Sequence, residues 1–212
     1  MKLVEEKIRV AGPAGTIDVI MENPGKPRGI ALVCHPHPLF GGTNTNKVTQ
    51  TLARTLAALN YVALRPNFRG VGESAGTHAD GRGETDDMLA VLAEARKYFG
   101  DLPVVLAGFS FGAYVQTRVA QALAEAGQPA QRLILVGTAA GHVEGARQYA
   151  AKAVASDTIV IHGSVDETVP LANVLAWAEP LNLPVIVVPG ADHFFHRRLQ
   201  IIRDIVTRAW MP

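Results

Sequence analysis

The sequence predicts an α/β protein: a doubly wound, mostly parallel sheet of about eight strands with helices on both faces. Three observations lead there. Short runs of Val, Ile, Leu and Ala recur without polar alternation, as at residues 29–34, 61–65 and 103–108, which is how strands buried on both faces read. Between them lie longer segments whose apolar residues repeat at helical spacing. Length and composition agree: 212 residues, 48% apolar and 18% charged, can bury a full core and are expected to form one domain over residues 1–212.

Taken in order, residues 3–10 and 16–21 read as strands joined through Ala11-Gly12-Pro13-Ala14-Gly15, an antiparallel start. The turn-rich Asn23-Pro24-Gly25-Lys26-Pro27 leads into a buried strand at Gly29–Cys34. Residues 46–60 place Val48, Leu52, Leu56 and Leu59 on one helical face. A strand follows at 61–65. Residues 84–99 read as a helix with Met88, Leu89, Leu92 and Ala95 on its apolar face, Thr85 as cap, and Asp86 and Asp87 favouring its N-terminal end. Further strands are expected at 103–108, Arg132–Val136, 158–162 and 184–188, with helical segments between and after them. Only about twenty residues, 138–157, separate two of these strands. That leaves room for a helix and none for an inserted cap domain.

Formal net charge is +1, so no long-range attraction to nucleic acid or an anionic membrane is expected. Arg197, Arg198, Arg203 and Arg208 in the last helical segment read as a solvated face. The single cysteine, Cys34, rules out an internal disulfide and suits a reducing cytoplasm. Residues 1–10 show no apolar signal region, and no apolar run is long enough for a membrane helix. A soluble cytoplasmic chain is expected. Cys34-His35-Pro36-His37 resembles a metal-site fragment but lacks a second ligand pair, so Cys34 reads as a buried apolar residue and no metal is expected. Gly41-Gly42-Thr43-Asn44 lacks the Gly-Lys-Ser/Thr ending of a phosphate loop, so no nucleotide cofactor is expected either.

Sites in doubly wound sheets lie at the carboxyl ends of the strands, and three such ends carry chemistry. Gly108-Phe109-Ser110-Phe111-Gly112 follows one strand and opens a helix. A bare G-x-S-x-G is a weak signal. Between strand and helix it becomes a sharp turn that projects a serine above the sheet, with helix N-terminal amides beside it. Ser110 is the candidate nucleophile. After the strand at 158–162, Asp166 is placed to orient an imidazole, although an Asp before a helix is often only a cap; Asp157 precedes that strand and is the weaker candidate. After the strand at 184–188, His193 is the candidate base. His196 is its rival one helical turn on, and Asp192 reads as a loop stabiliser. The chain order Ser110, Asp166, His193, each after a separate strand, matches one known serine-hydrolase arrangement.

At these residues the chain resembles the α/β-hydrolases, and more narrowly small, capless, esterase-like bacterial members of that superfamily. The stretches that carry the resemblance are His35-Pro36-His37-Pro38, Asn67-Phe68-Arg69-Gly70-Val71-Gly72 and Gly190-Ala191-Asp192-His193-Phe194-Phe195. The resemblance implies an oxyanion hole made by the backbone N–H of Phe111 and a second amide after the strand Gly29–Cys34. Alignment selects His37, with Leu39 as fallback, since prolines have no N–H to give. Arg69 and Glu84 read as organisers of loop backbone. The expected function is hydrolysis of small soluble carboxylic esters through an acyl-enzyme on Ser110, in an open pocket walled by Leu39, Phe40, Phe111, Phe194 and Phe195. A thioesterase or peptidase would use the same groups, and a binding module could retain the fold.

Overall fold

A computed structural model describes residues 4–143 and 147–210. In chain order the strands are β1 (Val4–Gly12), β2 (Gly15–Asn23), β3 (Gly29–Cys34), β4 (Tyr61–Pro66), β5 (Val104–Phe109), β6 (Arg132–Val136), β7 (Gly141–Val143), β8 (Arg147–Tyr149), β9 (Ile159–Gly163) and β10 (Val185–Val188). The helices are α1 (Lys47–Ala58), α2 (Arg82–Phe99), α3 (Phe111–Glu125), α4 (Leu171–Ala178) and α5 (Leu199–Arg208). Eight strands form one sheet in the order β1-β2-β4-β3-β5-β6-β9-β10. β2 pairs antiparallel with β1 and β4, and every pairing from β4 through β10 is parallel. The doubly wound sheet expected from the sequence is therefore present. Leu3, the first residue of the first expected strand, lies outside the described residues.

Both faces of the central strands are covered, which explains their uninterrupted apolar runs. Alternate residues go to opposite layers. Ile30, Leu32 and Cys34 of β3 pack with Met88, Leu92 and Val119 of α2 and α3. Ala31 and Val33 pack with Leu52 and Leu56 of α1 and with Ile202 and Val206 of α5. Cys34 is fully buried, and burial pushes its thiol pKa up. No helix among the described residues is long and apolar enough to cross a membrane.

Four local expectations need correction. The helix expected at residues 84–99 begins at Arg82, and Thr85 does not cap it: its hydroxyl donates to the Gly81 carbonyl at 2.6 Å. The Glu84 carboxylate reaches back instead, accepting the N–H groups of Ala79 (2.9 Å) and Gly81 (2.8 Å). Where a helix was expected at 138–157, β7 and β8 form an antiparallel pair, Gly141 opposite Tyr149. Gly141 contributes to this, since a glycine costs a helix about 1 kcal/mol relative to alanine. The φ of Gly141 is 65°. Val143 and Tyr149 then pack on Val160, Val169 and Val174. Arg197 and Arg198 precede the last helix; Arg197 has φ 61°, and Arg198 donates to the Gly190 carbonyl at 3.2 Å.

The fourth correction is Phe195. Expected in the pocket wall, it is 0% exposed and packs in the core layer beneath α1 and α5. Its φ of 53° turns the chain there, sending its ring inward while Phe194 stays 45% exposed. Phe195→Ala should therefore cost about 3–5 kcal/mol of unfolding free energy, and Phe194→Ala less than about 1 kcal/mol. Urea denaturation of the two variants checks this ranking.

Candidate active site

The turn from β5 into α3 is so tight that Ser110 sits at φ 56°, ψ −119°, a backbone strain of about 1–3 kcal/mol for a residue with a side chain. Hydrogen bonds on both sides hold it there. Its N–H donates to the Val136 carbonyl at 2.9 Å, and its carbonyl accepts from Ala113 (3.0 Å), Tyr114 (3.1 Å) and Ala139 (3.2 Å). The flanking glycines are obligatory. A Cβ on Gly108 would run into the Gly112 carbonyl, and one on Gly112 into the carbonyls of Cys34 and His35.

At the end of β9, Asp166 is held by the turn it begins. Its Oδ1 accepts the N–H groups of Thr168 (3.0 Å) and Val169 (2.7 Å). Its Oδ2 lies 2.7 Å from Nδ1 of His193, and Nε2 of His193 lies 3.0 Å from Oγ of Ser110. An ionised carboxylate only accepts, so Nδ1 carries the proton and Nε2 of the neutral ring faces the serine hydroxyl as acceptor. The imidazole rests on Phe109, ring centroids 4.9 Å apart, and on Gly137, where a Cβ would come within 3.3 Å of the ring. All three side chains belong to buried residues.

The other candidates are placed elsewhere. His196 pairs with Asp192 on the surface at 2.6 Å, and hydrogen bonding from His196 holds the Asp192 carboxyl below the usual carboxylate range. Asp157 lies before β9, away from the strand's carboxyl end. Arg69 pairs with Asp87 through two contacts of 2.6 and 3.1 Å, and Glu84 holds backbone as described. The structure also adds a residue that the sequence reading left as part of a strand: Nε2 of His162 lies 3.4 Å from Oδ2 of Asp166. The available signal was a histidine inside an apolar run, four residues before that aspartate.

The loop after β3 carries two histidines with different tasks. His35 is fully buried, with Nδ1 2.7 Å from the Pro36 carbonyl and Nε2 2.9 Å from the Phe68 N–H. One partner accepts and the other donates, which fits only the neutral ring protonated on Nδ1. Burial pushes the pKa of His35 down to about 3. The ring of His37 packs against Phe40, His78 and Phe111, and burial together with His78 and Arg147 lowers its pKa to about 4. Nδ1 of His37 accepts the Leu39 N–H at 3.2 Å, so the fallback amide is engaged. Phe111, expected as an exposed wall, has its side chain buried beneath His37 and His78. Leu39 and Phe40 are exposed, with the Arg147 guanidinium 4.2 Å over the Phe40 ring. Among the described residues, no group of three or more His, Cys, Asp or Glu is arranged to hold a metal ion.

A family model described as serine aminopeptidase, S33, matches residues 25–161. Two solved structures cover the whole chain. One is an alpha-beta serine hydrolase homologue from Coxiella burnetii, 36% identical, with a TM-score of 0.86 over 100% of both chains. The other, from Xanthomonas campestris, is described as an a/b serine hydrolase without lid; it is 35% identical, with a TM-score of 0.85 over 97% of that chain. A lysophosphatidylserine lipase from Rattus norvegicus is 34% identical over 105 residues, 48% of this chain and 26% of that protein. An uncharacterized protein of Rickettsia prowazekii is 40% identical over 106 residues, 49% of this chain and 44% of its own length. These matches thus span less than half the length of either relative.

The buried His35 makes stability depend on pH. Its pKa falls from 6.5 to about 3 on folding, so its contribution is complete above the unfolded value and is lost as pH falls toward the folded one. Between those limits unfolding takes up one proton, a slope of about 1.4 kcal/mol per pH unit. His35→Gln, which keeps an acceptor for the Phe68 N–H, removes the titrating group. Urea unfolding from about pH 6 to about pH 4 should show the wild type losing stability faster than the variant by roughly that slope. Parallel curves would contradict a neutral His35.

Proposed function

The chain belongs to the serine aminopeptidase S33 family of α/β serine hydrolases, and from that premise we propose that it hydrolyses carboxylic esters of small soluble substrates through an acyl-enzyme on Ser110. The observation that carries this reading is the hydrogen-bonded line from Ser110 Oγ through His193 to Asp166, 3.0 and 2.7 Å long. In the proposed reaction Ser110 Oγ attacks the acyl carbonyl as His193 Nε2 takes its proton. Asp166 stabilises the imidazolium through Nδ1. The amides of Phe111 and His37 stabilise the tetrahedral oxyanion. Collapse breaks the ester bond, and His193 returns the proton to the departing alcohol. Water then gives a proton to His193 as its oxygen attacks the acyl-enzyme, and a second collapse releases the acid and restores the Ser110 hydroxyl.

The helix N-terminus supports the role given to Phe111. Ser110 O takes the amides of Ala113 and Tyr114, whereas the first helical amides have no acceptor within the helix. Thioesters and amides pass through the same intermediate. Esters are preferred over amides because an alcohol leaves more readily than an amine, and over thioesters because a lysophosphatidylserine lipase is among the relatives. Small substrates are preferred because the described residues between β6 and β9 hold only the short β7–β8 pair, too little to line a tunnel in which each buried methylene would be worth about 0.8 kcal/mol. Leu39, Phe40 and Phe194 supply exposed apolar surface, Phe194 against the His193 ring and Phe40 against His37. The proposal takes residues 1–212 as one catalytic domain whose partner is the ester itself, with no cofactor.

A fluorophosphonate probe should label the wild type at Ser110, and Ser110→Ala should lose labelling and at least about 10³-fold in kcat while unfolding at the same temperature. His193→Ala should lose about as much, since residues acting as a unit are not additive. Labelling that persists in Ser110→Ala would refute the assignment, and a wild type that neither labels nor turns over esters, thioesters or amides would be a binding module. Among p-nitrophenyl esters of about two to about sixteen acyl carbons, kcat/KM should peak at the short end. A maximum at the long end would overturn the substrate class.

A further inference from the structure

Asp166 has a second imidazole beside it that a serine, a histidine and an aspartate acting together do not require. His162 sits on β9, its side chain fully buried. Its Nε2 lies 3.0 Å from the Val169 carbonyl and 3.4 Å from Asp166 Oδ2. The Val169 carbonyl is an acceptor, so Nε2 carries the proton and donates it there, with the Asp166 carboxylate close beside the same N–H. Resting on the reaction proposed for Ser110, we propose that His162 is a positioning residue: its Nε2–H anchors the Val169 carbonyl beside the Asp166 carboxylate, and Val169, whose N–H binds that carboxylate, thereby fixes the group that orients His193.

Three observations converge on this role. Val169 is bound to this pair of side chains at both of its polar groups, its N–H to Asp166 Oδ1 at 2.7 Å and its carbonyl to His162. The turn from β9 to α4 is thus closed around the carboxylate. Asp166 accepts two backbone amides on Oδ1 and His193 on Oδ2, with the His162 imidazole 3.4 Å from that second oxygen. Held that way, it cannot rotate without losing several bonds at once. Finally, Nδ1 of His162 is buried without a partner among the described residues. An all-carbon side chain would fill the site without that loss, so packing alone does not account for a histidine.

The electrostatics favour a neutral donor. Burial lowers the pKa of His162 and His193 pushes the same way; Asp166 and the hydrogen bond to Val169 oppose them without prevailing. Asp166 and His193 are the titratable groups that act on it. A cation here would repel the imidazolium that forms on His193 during turnover. A neutral N–H instead faces the carboxylate without adding a charge to the site.

Paired substitutions separate this from a packing role. His162→Phe removes the donor, and His162→Gln places an amide N–H near the same position without a titrating ring. The phenylalanine variant should lose about tenfold or more in kcat, with KM within about twofold. The acid limb of its kcat/KM profile should move to higher pH, because a carboxylate without that polar N–H beside it stabilises imidazolium more strongly. The glutamine variant should recover kcat to within about threefold of wild type and restore the midpoint. An unaltered phenylalanine variant, or two variants equally impaired with no midpoint movement, would overturn the proposal. Should the phenylalanine variant fail to fold, imidazole ¹⁵N shifts of the wild type decide. A neutral His162 protonated on Nε2 supports the proposal; protonation on Nδ1 alone, or titration in step with activity, overturns it. Fluorophosphonate labelling of the same wild-type sample tests the Ser110 reaction separately, since it does not depend on His162.

Discussion

Parallel pairing of β3, β5, β6, β9 and β10 puts the carboxyl ends of five strands along one edge of the sheet, and every contact of the candidate site depends on that alignment. The last rungs match closely: Cys34 opposite Gly108, Phe109 opposite Val136, Val136 opposite Ile161, and Val188 opposite Gly163. The ladder then continues into the loops. Ser110 donates to Val136, Gly137 to Ile161, Ser164 to Val188 and Val165 to Ala191, at 2.9–3.1 Å. Ser110, Gly137, Asp166 and His193 are therefore carried by extensions of the sheet. That gives three side chains separated by 83 and 27 residues a rigid common frame.

The loop after β3 is braced by polar contacts from the antiparallel side of the sheet. His35 accepts the Phe68 N–H, Asn67 Oδ1 accepts the Asn44 N–H at 2.8 Å, and Arg65 donates to the Asn44 carbonyl at 2.7 Å. Arg65 is also paired with Glu22 at 2.7 Å, both side chains 1% exposed. Desolvation raises the Glu22 pKa in spite of that arginine, the mark of an ion pair that costs much of what it returns. Its value lies in position. The guanidinium connects β2, β4 and the first loop at defined points, and Asn67 extends the connection to Asp18 at 2.9 Å.

Much of the sheet was legible in the sequence because burial on both faces leaves a pattern that a single strand carries by itself. Gly29–Cys34 reads as a strand whatever its neighbours are. Ser110, Asp166 and His193 stood out for a related reason: each follows such a strand directly. What was not legible depended on partners distant in the chain or on one backbone angle. Phe194 and Phe195 are chemically identical neighbours, and only the positive φ at Phe195 decides which ring enters the core. The start of α2 moved because Glu84 caps amides of residues preceding it. His162 lay hidden inside β9 because a strand pattern says which face a residue occupies, not which turn folds back over it.

The two prolines around His37 limit which amides of that loop can face an oxyanion in the proposed reaction. Pro36 and Pro38 have no N–H. Leu39 donates to His37 Nδ1, and Phe40 and Gly42 donate to the His37 carbonyl at 3.2 and 3.0 Å. Every other amide from Pro36 to Phe40 is thus missing or engaged. The His37 ring is responsible for part of this, since its Nδ1 must stay unprotonated to accept from Leu39, and a pKa lowered to about 4 keeps it so at neutral pH. Contacts with Phe40, His78 and Phe111 hold the ring in place. In that proposed reaction one residue would offer its own backbone donor while its ring occupies its neighbour's. Shape and donor selection in this loop are a single property, set by the packing of the imidazole.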